Sequence, residues 1–140
     1  MAEGSFESVL ERDGKLIYTN VGDSMFPLIR EGRDLLVIEK AAGPLKRLDI
    51  PLYRRSSGQY VLHRVLQVRS DGYVLCGDNR RDREYGVTDQ QILGVLTAVI
   101  RGGKEISMQS PFCRLYAHLW CDFFPLRVLL LRARSFLRRL

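Results

Sequence analysis

Long apolar runs are missing from this chain of 140 residues. No stretch approaches the ~18 uncharged apolar residues of a membrane-crossing helix, so none is predicted. Met1 to Asp13 carries acids and no apolar run, which predicts no signal peptide. Cysteine is scarce and odd in number: Cys76, Cys113 and Cys121, with no Cys-x-x-Cys spacing. That argues against a disulfide framework or a cysteine metal site, and for reduced thiols in a cytosolic protein. Neither a metal nor an organic cofactor is expected. Histidine occurs only at His63 and His118, and no internal repeat is evident.

Acids are nearly absent from the end of the chain. From Pro111 onward Arg114, Arg127, Arg132, Arg134, Arg138 and Arg139 face Asp122 alone, so this segment holds +5 of the formal net charge of +6. The basic character therefore belongs to the tail. It suits an acidic lipid surface, an acidic partner or nucleic acid.

The first 106 residues read as a β-rich domain. Ser5 caps a short helix running to about Glu11 and ended by Asp13-Gly14. Strands are predicted over 16–21, 34–39, 49–53, 60–68, 73–76 and 95–100. Hairpin signals lie at Ser56-Ser57-Gly58 and Asp71-Gly72, and Gly102-Gly103 closes the last strand. Residues 22–33 are turn-rich, 41–44 form a loop and 77–87 a polar loop. Thr88-Asp89-Gln90-Gln91 fits a capping box for one helical turn. Short strands at this spacing predict a mainly β barrel or sandwich.

Residues 107–140 form a separate helical tail. Ser110-Pro111 is a helix start, and Pro125 should break or kink the segment. Leu126, Leu129, Leu130, Ala133, Phe136, Leu137 and Leu140 then recur at helical spacing on one face. Arg127, Arg134 and Arg138 share another side, with Arg132 and Arg139 on the flank between. Two readings stand side by side. The helix docks on the barrel or a second copy with its arginines in solvent, or Leu126–Leu140 makes a peripheral contact with an anionic membrane. Nucleic acid is the poorest fit, because no aromatic-interleaved basic patch accompanies the arginines.

Three polar positions could carry chemistry. Ser24 follows Gly22, where the chain can turn sharply and present a hydroxyl, and its own N–H could stabilise an oxyanion. His63 offers a base at neutral pH, although a lone strand histidine is more often a structural hydrogen-bonder. Asp78 and Asp82 lie in a loop that also holds Arg80, Arg81 and Arg83. One of them could hold His63 in the correct tautomer, or Asp78 could simply make an Asx turn.

The order of motifs is more specific than any member. Gly22-Asp23-Ser24-Met25-x-Pro27, then Gly32-x-Asp34-Leu35-Leu36-Val37, Asp49-Ile50, His63-Arg64-Val65 and Gly77-Asp78-Asn79 resemble the signal peptidase I and SOS-repressor-type peptidase superfamily. The resemblance covers about residues 16–100. It implies a mainly β fold, a nucleophile at Ser24, and a peptide bound as an added strand that is read for small side chains near the cut. The superfamily base is usually lysine. Here His63 occupies that slot, and no lysine occurs between Arg47 and Lys104. The chain is thus similar to the Ser-His variant of endoplasmic-reticulum and archaeal-type signal peptidases, in which a downstream aspartate completes the site. Asp82 is the better match to that acid, and Asp78 matches the turn.

The departures are Gly32-Arg33-Asp34 with one residue inserted, Gly22 offering no hydroxyl to an oxyanion hole, and Asp23 beside the serine as in the repressor-type branch. Only 23 residues precede Ser24, so the usual membrane anchor is not expected.

The expected function is a serine endopeptidase that removes a leader or signal-like segment from a peptide or protein substrate. It is expected in the cytoplasm, with peripheral placement on the inner face of the plasma membrane if the tail meets lipid. The alternatives are a non-catalytic peptide-binding module of the same fold and a repressor-type self-cleaving peptidase. The short stretch before Ser24 offers no Ala-Gly or Cys-Gly cleavage site for self-cleavage.

Overall fold

A computed structural model describes residues 5–19, 22–41 and 43–139. Val21, which ends the first predicted strand and opens the serine motif, lies outside the described residues, as do Ala42 of the predicted loop and Leu140 of the tail face. The fold is mainly β: a curled half-barrel of antiparallel strands with a short helix before it and two helices after it.

Helix α1 (Phe6–Asp13) starts where Ser5 accepts the Ser8 N–H and stops where Gly14 takes a left-handed conformation at φ 72°. Strands β1 (Lys15–Thr19), β2 (Asp34–Lys40), β3 (Pro51–Arg54), β4 (Tyr60–Leu62) and β8 (Ile92–Arg101) form the larger sheet in the order β1-β2-β8-β3-β4, and β9 (Lys104–Ser107) pairs with β8. Strands β5 (Arg64–Arg69), β6 (Gly72–Cys76) and β7 (Glu84–Val87) form the smaller sheet. A 3₁₀ turn at Asp89–Gln91 leads into β8, with the Gln91 side chain accepting the Thr88 N–H.

Three elements differ from the sequence reading. The predicted strand over 60–68 is two strands in two sheets, and the chain crosses between them at His63. The predicted polar loop over 77–87 ends in a strand, because Glu84–Val87 finds a partner in β6. The strand closed by Gly102-Gly103 is not the last, since these glycines turn it into β9.

Two apolar clusters build the core. One joins Leu10 of α1 to Met25, Ile29, Leu36, Ile38, Leu52 and Leu96. The other joins Tyr53, Val61, Val65, Tyr73 and Leu75 across the two sheets. Burying such side chains stabilises the fold by roughly 1.5–3 kcal/mol each. Asp34 is fully buried, paired with Arg101 at 2.7 Å, and accepts the Arg30 N–H. Arg101 also donates to the Leu28 carbonyl, so β2 and β8 together brace the segment that carries Ser24.

Helix α2 (Pro111–Asp122) begins at the Ser110 cap and buries Cys113, Ala117 and Cys121, whose thiols are free. Its Phe112, Leu115 and Leu119 are exposed, as is Phe123 at its end. Helix α3 (Phe124–Arg139) starts one residue after α2 stops, with Pro125 in its first turn, where a missing N–H costs nothing. The buried residue of α3 is Arg127, and Leu126, Leu129, Leu130, Phe136 and Leu137 face outward. The tail docks on the domain, but with arginine inward and leucine outward.

Candidate active site

Strands β1 and β4 are the two edges of the larger sheet. Curling brings them to opposite walls of one cleft. Tyr18 and Thr19 of β1 line it on one side, Tyr60, Val61 and Leu62 of β4 on the other, and Ser24 and His63 lie in the same cleft. Its volume is about 660 Å³, within the roughly 300–1,000 Å³ of ligand-binding clefts. Helix α1 closes one end. The Phe6 ring sits 5.0 Å from Tyr18 and 4.9 Å from Tyr60. Glu7 accepts the Tyr60 hydroxyl at 2.7 Å and pairs with Arg54.

Ser24 sits in the turn-rich segment after Gly22, whose φ of 102° is one that side chains rarely adopt. Its position is set by the turn Gly77-Asp78-Asn79. The Asn79 N–H donates to the Ser24 carbonyl at 2.8 Å, the Asn79 amide to the Asp23 carbonyl at 3.1 Å, and Arg80 to the Asp23 carboxylate at 2.9 Å. That cation holds Asp23 below the usual carboxylate range. A Cβ on Gly77 would lie 2.5 Å from the Ser24 carbonyl oxygen and 3.1 Å from the His63 Cδ2. Glycine is therefore required there by close approach, and the serine backbone and the imidazole both pack on it. The Ser24 hydroxyl and amide make no hydrogen bond among the described residues, so both are open to the cleft.

His63 lies between β4 and β5, where leaving one sheet for the other turns its ring toward the cleft. Its Nδ1 is 3.4 Å from the Tyr53 hydroxyl, which in turn donates to Glu84 at 2.7 Å. Arg55 donates to the same Glu84 oxygen from Nη2 at 2.8 Å and reaches both carboxylate oxygens from Nε at 3.2 Å. Burial first, and then the charges of Arg55 and Arg80, push the His63 pKa down to about 4, against the opposing pull of Glu84 and Asp78. The imidazole is therefore neutral at pH 7, and Nε2 makes no hydrogen bond among the described residues. Ser24 and His63 line the same cleft without a hydrogen bond between them, so proton transfer to Nε2 requires the two side chains to close, and such a low pKa weakens the base.

The two aspartates lie elsewhere. Asp78 is fully buried behind the turn, with Arg64 donating from Nε at 3.0 Å and from Nη2 at 2.9 Å, and the Tyr116 hydroxyl at 2.8 Å. Its carboxylate orders the turn and makes no hydrogen bond to His63. Asp82 is exposed on another surface, near Leu131 and Arg132 of α3. The carboxylate that reaches His63, through one hydroxyl, is Glu84. Nothing in the sequence marked it, because Tyr53 and Glu84 are far apart in the chain and meet only when β3 and β7 form. His118, the other histidine, pairs with Asp122 on α2, away from the cleft.

The tail reaches the same turn from behind. Trp120 donates to the Asp78 carbonyl at 2.7 Å, and Arg127 donates to the Gly77 carbonyl and to the Cys76 sulfur. The Arg127 guanidinium lies 4.8 Å from the Phe124 ring centre and 5.9 Å from that of Trp120. Among the described residues no cluster of His, Cys, Asp and Glu could hold a metal ion. Against this geometry, no protein-family model, curated protein or solved structure matches the chain.

Proposed function

We propose that the protein is a serine endopeptidase that cleaves a leader or signal-like segment of a peptide bound in the β1–β4 cleft. The observation that carries this reading is the common seating of Ser24 and His63 against Gly77, at the floor of a cleft walled by two sheet edges. Edge strands carry unpaired backbone groups that an extended peptide can satisfy. The substrate lies as a strand between β1 and β4, and the Phe6, Tyr18 and Tyr60 rings limit what fits at one end.

In this mechanism the Ser24 Oγ attacks the scissile carbonyl carbon while its proton moves to His63 Nε2. The Ser24 N–H stabilises the developing oxyanion. The imidazolium then protonates the departing amine as the C–N bond breaks, leaving an acyl-enzyme. His63 takes a proton from water, the hydroxide attacks the ester, and the acid product leaves as Ser24 regains its proton. Tyr53 and Glu84 position the ring and favour its charged form. No metal or organic cofactor enters.

A second reading is a peptide-capturing module of the same fold, and two observations favour it: no carboxylate bonds His63 directly, and its pKa is low. Labelling with a fluorophosphonate, read by intact mass, separates the two. Peptidase chemistry predicts one adduct on the wild type and none on Ser24→Ala. A wild type without adduct, or an equal adduct on both, favours the capture module.

A further inference from the structure

A surface helix in water packs its apolar stripe inward and turns its charges out. Helix α3 does the reverse. Arg127 is buried against the Gly77 carbonyl, and Arg134 lies over the Phe26 ring with its guanidinium carbon 4.2 Å from the ring centre. Leu129, Phe136 and Leu137 are 62%, 62% and 65% exposed. The orientation is pinned, because a half-turn that buried the leucines would withdraw Arg127 from Gly77 and Arg134 from Phe26. An apolar face of this length held toward solvent marks an interaction surface.

Charge identifies the occupant. Helix α3 contains no acid, and Arg132, Arg138 and Arg139 form no ion pair among the described residues. Arg132 and Arg139 lie along one flank of the leucine face at helical spacing. A second copy docked through this face would set unpaired arginines against unpaired arginines. An anionic bilayer supplies both what the leucines need and what the flanking arginines need. No helix among the described residues is long and apolar enough to cross a membrane, which suits a helix lying in the plane of the interface.

We propose that α3 is an interfacial helix that seats its leucine face at the headgroup–acyl boundary of an anionic bilayer, with Arg132 and Arg139 on lipid phosphates. The inward side of the same helix grips the turn that holds Ser24, so docking brings the cleft to the membrane surface. The surface stands on its own geometry, independent of the peptidase reading.

The test is co-sedimentation of the full chain with phosphatidylcholine vesicles, with and without phosphatidylglycerol, alongside light scattering without lipid. The wild type should bind anionic vesicles at least about tenfold better than neutral ones. The double variant Leu129→Glu/Phe136→Glu, altered only at exposed positions, should keep its far-UV circular dichroism and lose binding. Arg132→Gln/Arg139→Gln should keep the fold and bind roughly ten- to thirtyfold more weakly. Absence of vesicle binding, equal binding to neutral and anionic vesicles, or full binding by either double variant overturns the proposal. So does a wild-type dimer that ignores vesicles and dissociates in Leu129→Glu/Phe136→Glu.

Discussion

His63 and Arg64 are consecutive residues facing opposite sides of one structure. His63 looks into the cleft with Nε2 unbonded. Arg64 looks behind the Gly77-Asp78-Asn79 turn, where it holds both oxygens of Asp78 and the Leu48 carbonyl. The back of the turn is densely bonded: Tyr116, Trp120 and Arg127 from the tail add bonds to the two residues Gly77 and Asp78, with Arg127 Nε and Nη1 buried beside them without a partner. The front is not: the Ser24 hydroxyl and amide and the His63 Nε2 are left open. Satisfied polar groups fix geometry, and unsatisfied ones in a cleft are free to meet a substrate. The turn thus separates a bonded support from an open cleft, and the two sides should respond differently to substitution.

The largest effect on stability is expected at the back. Asp78→Ala leaves Arg64 buried without its partner and should cost about 3–5 kcal/mol, measurable by urea denaturation. His63→Ala should cost under about 1 kcal/mol and yet lower any Ser24-dependent cleavage by about 10²–10⁴-fold. Equal stability losses at the two positions would erase the distinction. Gly77→Ala touches both sides at once. Its methyl meets the Ser24 backbone carbonyl first and the Arg80 and His63 side chains next, so the serine turn must shift, with an expected cost of about 1–3 kcal/mol and loss of any Ser24 acylation. A fully active, fully stable Gly77→Ala would show that the turn does not set the position of Ser24.

A pH profile sharpens the front. The His63 pKa is about 4 in the fold against an ordinary 6.5, so the unfolded chain binds a proton over that interval and the folded chain does not. Stability should fall as pH drops from about 6.5 to about 4, and level off below with respect to this group. The acid limb of kcat/KM should lie near pH 4, and an NMR titration of the His63 ring should agree with it. Glu84→Gln removes a charge that favours imidazolium and should move that midpoint lower still. Asp82→Asn should leave midpoint and stability within about 0.5 kcal/mol of wild type. An Asp82→Asn effect exceeding that of Glu84→Gln would reverse the assignment of the carboxylate.

Local signals made parts of this molecule legible in the sequence. Ser5 and Gly14 bracket α1, Ser110-Pro111 starts α2, and the Leu-Leu-Val-Ile run is β2. The order of motifs singled out Ser24 and His63, which line one cleft. What stayed hidden depends on pairing at long range. Glu84-Tyr85-Gly86-Val87 has no apolar alternation and becomes a strand only because β6 offers an edge. Tyr53 ends a predicted strand, and Glu84 is one acid in a loop of mixed charge, so their link to His63 needed two folded sheets. Periodicity predicted the two faces of α3 but not which of them meets the domain. That choice comes from Arg127, whose partner is a backbone carbonyl that no sequence pattern can mark.

The most direct test of the central claim is cleavage of a proteome-derived peptide library by the full chain on anionic vesicles, compared with Ser24→Ala and His63→Ala and read by mass spectrometry of the new termini. A Ser24–His63 peptidase predicts a defined set of cleavages that disappears in both variants. Cleavages that persist in Ser24→Ala, or none beyond background in the wild type, would contradict it.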